Sequence, residues 1–162
     1  MRLGGVAMDR CAVFVDAGYL FAQGTAALCG SKRPREYTKL NCARVVAELA
    51  KLSEEASRAK LLRVYWYDGA RQAAGLTQDH AELARRDNVK LRLGFVNSHG
   101  QQKGVDSLIV TDLIELARNR AICDALLISG DEDVRIGVQI AQSYGVRVHL
   151  LGIVPQGGSQ SL

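Results

Sequence analysis

Aspartates close the apolar runs of this chain. Ala125-Leu-Leu-Ile128 stops at Ser129-Gly130 and presents Asp131 and Asp133, Cys11-Ala-Val-Phe-Val15 ends in Asp16, and Leu61-Leu-Arg-Val-Tyr-Trp-Tyr67 ends in Asp68. A further acid, Asp106, opens an amphipathic segment after the polar stretch Asn97–Gly104. One Asp at a helix start is first of all a cap, stabilising by about 1 kcal/mol. Several carboxylates at one edge repel one another, and the repulsion must be relieved by protons or by a cation. An all-oxygen set without His or Cys points to Mg²⁺ or Mn²⁺. Such an ion can polarise a phosphodiester and activate a water for in-line attack.

The elements that must position these acids follow from periodicity. Five strand candidates, in and around 11–15, 61–67, 90–96, 124–128 and 146–153, alternate with helical patterns over 38–57, 72–87, 106–119 and from Val134 to Tyr144. Tyr19-Leu20-Phe21 starts a short helix expected to dissolve between Gly24 and Gly30. The alternation of strand and helix gives an α/β chain with a mainly parallel sheet, in which ligands bind outside the carboxyl ends of the strands. Right-handed crossovers bring Asp16, Asp131 and the helix start at Asp106 to one edge if their elements are neighbours.

Other acids and bases carry two readings each. Asp68 precedes Gly69 in a common turn pair, or it joins the site. Asp112 lies near the apolar face of its helix, where it either pairs with an Arg or caps a backbone group, or reaches the acidic site. Residues 31–39 contain Lys32, Arg33 and Arg35 around a Pro, as a solvated linker or as an RNA contact. Lys103, in a glycine-flanked loop, is placed to meet a phosphate if Asp106 faces the crevice.

The chain has 162 residues, enough for one domain that buries about 70% of its unfolded surface. Hydrophobic residues make up 48%, and no apolar run approaches the ~20 residues of a membrane span. Four cysteines without a Cys-x-x-Cys pair, and three histidines without zinc spacing, predict reduced thiols in a cytoplasmic protein without zinc. The net charge of +4 is mild support for a polyanionic partner. A P-loop and a dinucleotide-binding Gly-x-Gly-x-x-Gly are both missing. The haloacid-dehalogenase pattern fails at Asp16-Ala17-Gly18, and the topoisomerase-primase pattern fails because the first strand ends in Asp rather than Glu.

Phe14-Val-Asp-Ala-Gly-Tyr-Leu20, Lys103-Gly-Val-Asp106 with its helix, and Ser129-Gly-Asp-Glu-Asp133 followed by Gly145-Val-Arg-Val-His-Leu-Leu-Gly152 together resemble the NYN domain, in its LabA-like branch of the PIN-like nucleases. The resemblance spans about residues 10–153, leaving 1–9 as an N-terminal extension and 154–162 as a flexible tail. It implies a three-layer α/β/α Rossmann-like sandwich with a five-stranded, mainly parallel sheet. It also implies a metal-dependent ribonuclease site, with Asp16, Asp106, Asp131 and Asp133 on the family's acidic positions and Asp112 on a recurrent acid of less clear role. RNA is the implied partner, and a homodimer is allowed. Many family members carry Asn where this chain has Tyr19, and a Tyr cannot replace the amide in orienting a water or phosphate. The alternative is a non-catalytic regulatory or RNA-binding module on the same fold.

Overall fold

The computed structural model describes residues 9–70, 75–96, 99 and 102–154. Residues 1–8, most of the expected extension, and 155–162, most of the expected tail, lie outside them, as do 72–74 of the expected polar helix.

Two strands are apolar on both faces, and they sit side by side at the centre. β1 (Arg10–Asp16) pairs in parallel with β5 (Asp124–Ile128), residue Val15 opposite Ile128. A strand with no polar alternation has to be covered twice, and both are. One layer is α4 (Val105–Arg118) with α5 (Arg135–Ser143), burying Ile109, Leu113 and Ala141 against Ala12, Phe14, Ala125 and Leu127. The other is α1 (Ala17–Cys29), α2 (Cys42–Ser57) and α3 (Gln78–Ala84), burying Phe21, Leu49 and Leu83 against Cys11, Val13, Val15, Leu126 and Ile128. The period-2 direction of side chains in a strand thus assigns alternate residues of β1 and β5 to opposite layers, as the expected α/β/α sandwich requires.

The sheet continues on both sides through β2 (Lys60–Ala70), β3 (Val89–Val96) and β6 (Arg147–Leu150). Its order is β4-β3-β2-β1-β5-β6, so the expected five-stranded sheet gains a sixth member. This is β4 (Gln102–Lys103), two residues antiparallel to Phe95 and Val96. It comes from a polar stretch read as loop, because its pairing uses backbone groups and leaves no apolar pattern.

Helix ends correct two further expectations. α1 does not dissolve at Gly24 but runs to Cys29, where Gly30 takes the left-handed conformation that closes a helix and donates to Ala26. The packing of Phe21 and Thr25 on its buried face outweighs the weak propensity of Gly24. α3 starts only at Gln78, behind a capping box in which Thr77 Oγ1 accepts from the His80 N–H and His80 Nδ1 from the Thr77 N–H. Cys11 and Cys42 are buried, and Cys29 is exposed. Among the described residues, no helix is long and apolar enough to cross a membrane.

Candidate acidic metal centre

Strand order places the acids. The chain builds β1, β2 and β3 in one direction and then β5 and β6 in the other, so the order reverses between β1 and β5. A crevice opens at such a point beyond the carboxyl ends of the strands. Because Val15 faces Ile128, Asp16, the last residue of β1, and Ser129, the first residue after β5, come to the same level at the sheet edge.

Asp16 is 9% exposed and caps α1, its Oδ1 accepting from the Tyr19 N–H at 3.2 Å. Burial raises its pKa and the nearby Asp131 adds to that, against the N–H groups of Tyr19 and Gly18 and the Ser129 hydroxyl. Asp131 follows Gly130 and caps the 3₁₀ turn Glu132–Val134, its Oδ1 accepting from the Asp133 N–H at 2.9 Å. Asp106 stands in the first turn of α4, where the helix dipole favours a negative charge.

Asp106, Asp131 and Asp133 each offer a carboxylate oxygen, and the three oxygens lie within 4.8 Å of one another. Burial raises the Asp106 carboxyl above the ordinary carboxylate value, and Asp131, Asp16 and Asp133 raise it further, in that order. Asp131, Asp16 and Asp133 thus all act on Asp106, and the oxygen group itself consists of Asp106, Asp131 and Asp133. Among the described residues, no Lys or Arg side chain is ion-paired with Asp106, Asp131 or Asp133; the nearby Arg135 pairs with Glu132.

The donor set fits a hard cation. Three carboxylate oxygens within 4.8 Å of one another are an all-oxygen group that would draw together around a hard divalent cation such as Mg²⁺ or Mn²⁺. Asp16, Asp106 and Asp131 border an open cleft of about 520 Å³ lined also by Gly18, Tyr19, Gln23, Lys32 and Val105.

Four residues with a possible site role, Asp112, Arg35, Asp68 and Arg33, are placed elsewhere. Asp112 is 7% exposed and takes the Arg reading: Arg92 Nε and Nη2 donate to its two oxygens at 2.9 and 2.8 Å, and the Tyr67 hydroxyl donates at 2.9 Å. Both of its oxygens are thus engaged by Arg92 and Tyr67, away from the Asp106, Asp131 and Asp133 group. Arg35 is tied back onto the fold: its Nη1 donates to both oxygens of Asp68 at 2.8 Å, and its guanidinium lies 4.2 Å from the centre of the Phe21 ring. Asp68 also accepts from the Gly69 N–H at 2.8 Å and meets His80 Nε2 at 2.9 Å, so it belongs to a buried ion network rather than to the acidic cleft. Arg33 is exposed and its backbone N–H donates to Thr25 Oγ1. Only Lys32 of the basic loop lines the cleft. The backbone of Lys103 pairs with Phe95, and its side chain lies outside the described residues.

Sequence reasoning missed Ser129. Its fully buried Oγ donates to Asp16 Oδ2 at a long 3.5 Å and accepts from the Asp131 N–H at 3.2 Å. The available signal was a small hydroxyl residue between a buried strand and its terminal acids.

The NYN domain profile matches residues 10–162. Over 86 residues the chain is 71% identical to a protein of Sinorhizobium fredii described as "Uncharacterized protein y4oD", an alignment that takes in 53% of this chain and 40% of that protein's length. A solved structure of a protein of unknown function from Vibrio parahaemolyticus superposes with a TM-score of 0.59 and 23% identity, over 98% of this chain and 89% of the other, a likeness of fold.

Proposed function

The chain belongs to the NYN-domain family, within the PIN-like nuclease superfamily, and on that premise we propose that it hydrolyses RNA phosphodiester bonds with a divalent cation held by Asp16, Asp106, Asp131 and Asp133. The observation that carries this reading is the group of carboxylate oxygens within 4.8 Å at the strand-order reversal, with Asp106 under repulsion from its neighbours. Within the family, the Asp16, Asp106 and Asp131 motifs resemble the LabA-like branch. Mg²⁺ or Mn²⁺ would supply charge neutralisation, polarisation of the phosphodiester and an activated water.

The chain's own residues define what surrounds that chemistry. Gly18 and Gly130 line the cleft beside the acids, and Lys32 offers its rim a cation for a phosphate of the substrate. Asp16, held by the Tyr19 N–H and the Ser129 hydroxyl, is the most restrained of the acids. Burial and the neighbouring Asp131 raise its pKa, which makes it a stronger base than a free carboxylate.

The test is RNA cleavage by purified protein with Mn²⁺ or Mg²⁺. Asp16→Asn and Asp131→Asn should each lower the rate by about a hundredfold or more, the scale set by losing an acid–base or charge-stabilising group. Unchanged cleavage in both variants sinks the reading. A specific observation favours a second reading, an RNA-binding module without turnover: Tyr19 brings an aromatic ring and a phenol, not an amide, to the cleft, and its oxygen accepts from the Ile153 N–H at 3.1 Å. That reading requires RNA binding with no metal-dependent cleavage.

A further inference from the structure

Tyr19 reaches separate parts of the chain at the acidic cleft. Its backbone N–H donates to Asp16, its hydroxyl accepts from the Ile153 N–H beyond β6, and its ring lies against Gly130. The last contact is so close that a Cβ placed on Gly130 would stand 2.5 Å from Cε2 and 2.8 Å from Cδ2 of the ring. Gly130 is thus required by the ring, since any side chain there would have to displace it.

The turn under the ring is the one that carries the acids. Gly130 separates Ser129, whose Oγ accepts from the Asp131 N–H, from Asp131, whose Oδ1 accepts from the Asp133 N–H. Asp131 and Asp133 are exposed, so buried packing of their own does not fix them. The ring above Gly130 and its tether at Ile153 are what a rigid aromatic can add: a lid on the turn, braced at its far end by a hydrogen bond.

We propose that Tyr19 is a positioning residue that pins the Ser129-Gly130-Asp131 turn, fixing Asp131 and Asp133 against Asp106. It acts through the turn and not on the substrate. This inference rests on the proposed metal-dependent reading only for its consequence in cation binding; the pin itself is a property of the metal-free chain.

The experiment compares the full-length chain with Tyr19→Ala, which removes ring and hydroxyl, and Tyr19→Phe, which keeps the ring. Amide exchange in the metal-free protein should speed up about tenfold or more at Asp131 and Asp133 in Tyr19→Ala, with α2 amides unchanged and Tyr19→Phe much nearer wild type. Titration with Mn²⁺ followed by electron paramagnetic resonance should show about tenfold weaker binding in Tyr19→Ala and a largely restored value in Tyr19→Phe. Equal exchange at Asp131 in wild type and Tyr19→Ala overturns the pin, and so does an acceleration shared equally by α2, which marks a general loss of stability. If wild type binds no Mn²⁺ while the exchange contrast holds, the functional reading falls and the pin stands. Should Tyr19→Ala not fold, Gly130→Ala, which displaces the ring by overlap, carries the same expectations and the same overturning results.

Discussion

Ser129 joins Asp16 across 113 residues of sequence, its hydroxyl reaching Asp16 Oδ2 at 3.5 Å while its oxygen accepts from the Asp131 N–H at 3.2 Å. Two acids that are remote in the chain are thereby referred to one buried atom. The cause is the parallel register of β1 and β5, which sets Val15 opposite Ile128 and so brings the following residues, Asp16 and Ser129, to one level.

Ser129→Ala should therefore act as a change in the support of the site. The Asp131 N–H loses its acceptor and Asp16 a donor, while the alanine fits the space. Supporting residues of this kind are worth about 10–100-fold in metal affinity or activity. We expect a loss in that range in Mn²⁺ binding, with cleavage falling in parallel, and a melting temperature lowered by only a few degrees. Calorimetric titration against thermal melting separates the two.

Arg35 and Asp68 form a stability element. Asp68 has a side chain 3% exposed, whereas that of Arg35 is 37% exposed. Arg35→Ala leaves a buried carboxylate with His80 and the Gly69 N–H. The full cost of breaking a buried pair, about 3–5 kcal/mol, is reduced by the exposure of Arg35 and its remaining partners to about 1–3 kcal/mol. Urea unfolding should show this loss, with RNA affinity of the folded variant within about twofold of wild type. A larger loss of RNA affinity with unchanged stability would restore Arg35 to the RNA-contact role.

How much of this was legible beforehand depends on the range of each interaction. That β1 and β5 are covered twice is written locally, in apolar residues without alternation, and so is the arrival of Asp16 and Asp131 at strand ends. Which acid answers to which base is not local: Asp68 meets Arg35 from 33 residues away, and Asp112 meets Arg92 from 20. Asp124 was read only as the start of a strand, yet it is fully buried at the opposite end of β5, held by Arg147 at 3.0 Å and His149 at 2.8 Å. These pairings depend on the register of β5 with β6 and on the seating of helices, neither of which a periodicity expresses. The continuation of α1 through Gly24 belongs with them, because tertiary packing decided it.

Acid sensitivity follows from the same buried pairs. Burial alone would raise the Asp68 carboxyl, but the hydrogen bonds from His80 and Arg35 outweigh it and the net shift is downward from 3.8. Asp124 behaves alike: burial opposes, His149, Cys123 and Arg147 prevail, and its pKa is lowered. A lowered carboxylate pKa means that the unfolded chain binds the proton first. The stability these groups contribute is complete above the ordinary value of 3.8 and is lost as pH falls through their lower folded values. Urea midpoints measured from about pH 6 to about pH 2.5 should drop steeply below about pH 4, and Asp68→Asn should lower the plateau while making the drop shallower. An unchanged slope in that variant would mean that Asp68 is not the titrating group.

Cation binding should appear as stability before it appears as catalysis. Asp106 is raised in pKa by burial and by Asp131, Asp16 and Asp133, so the metal-free native state carries repulsion that a divalent ion removes. A ligand at about a hundred times its Kd adds ~2.7 kcal/mol to a state that alone binds it. For a chain of 162 residues this corresponds to a rise in melting temperature of about 5–10 °C. Mn²⁺ should produce that rise in wild type, EDTA should reverse it, and Ca²⁺, which prefers more and longer oxygen contacts, should produce less. Asp106→Asn and Asp131→Asn should melt at or above the metal-free wild type, because each removes one repelling charge, and should respond little to Mn²⁺. A wild-type melting curve that Mn²⁺ leaves in place, or a rise of equal size in both variants, would separate these carboxylates from any metal.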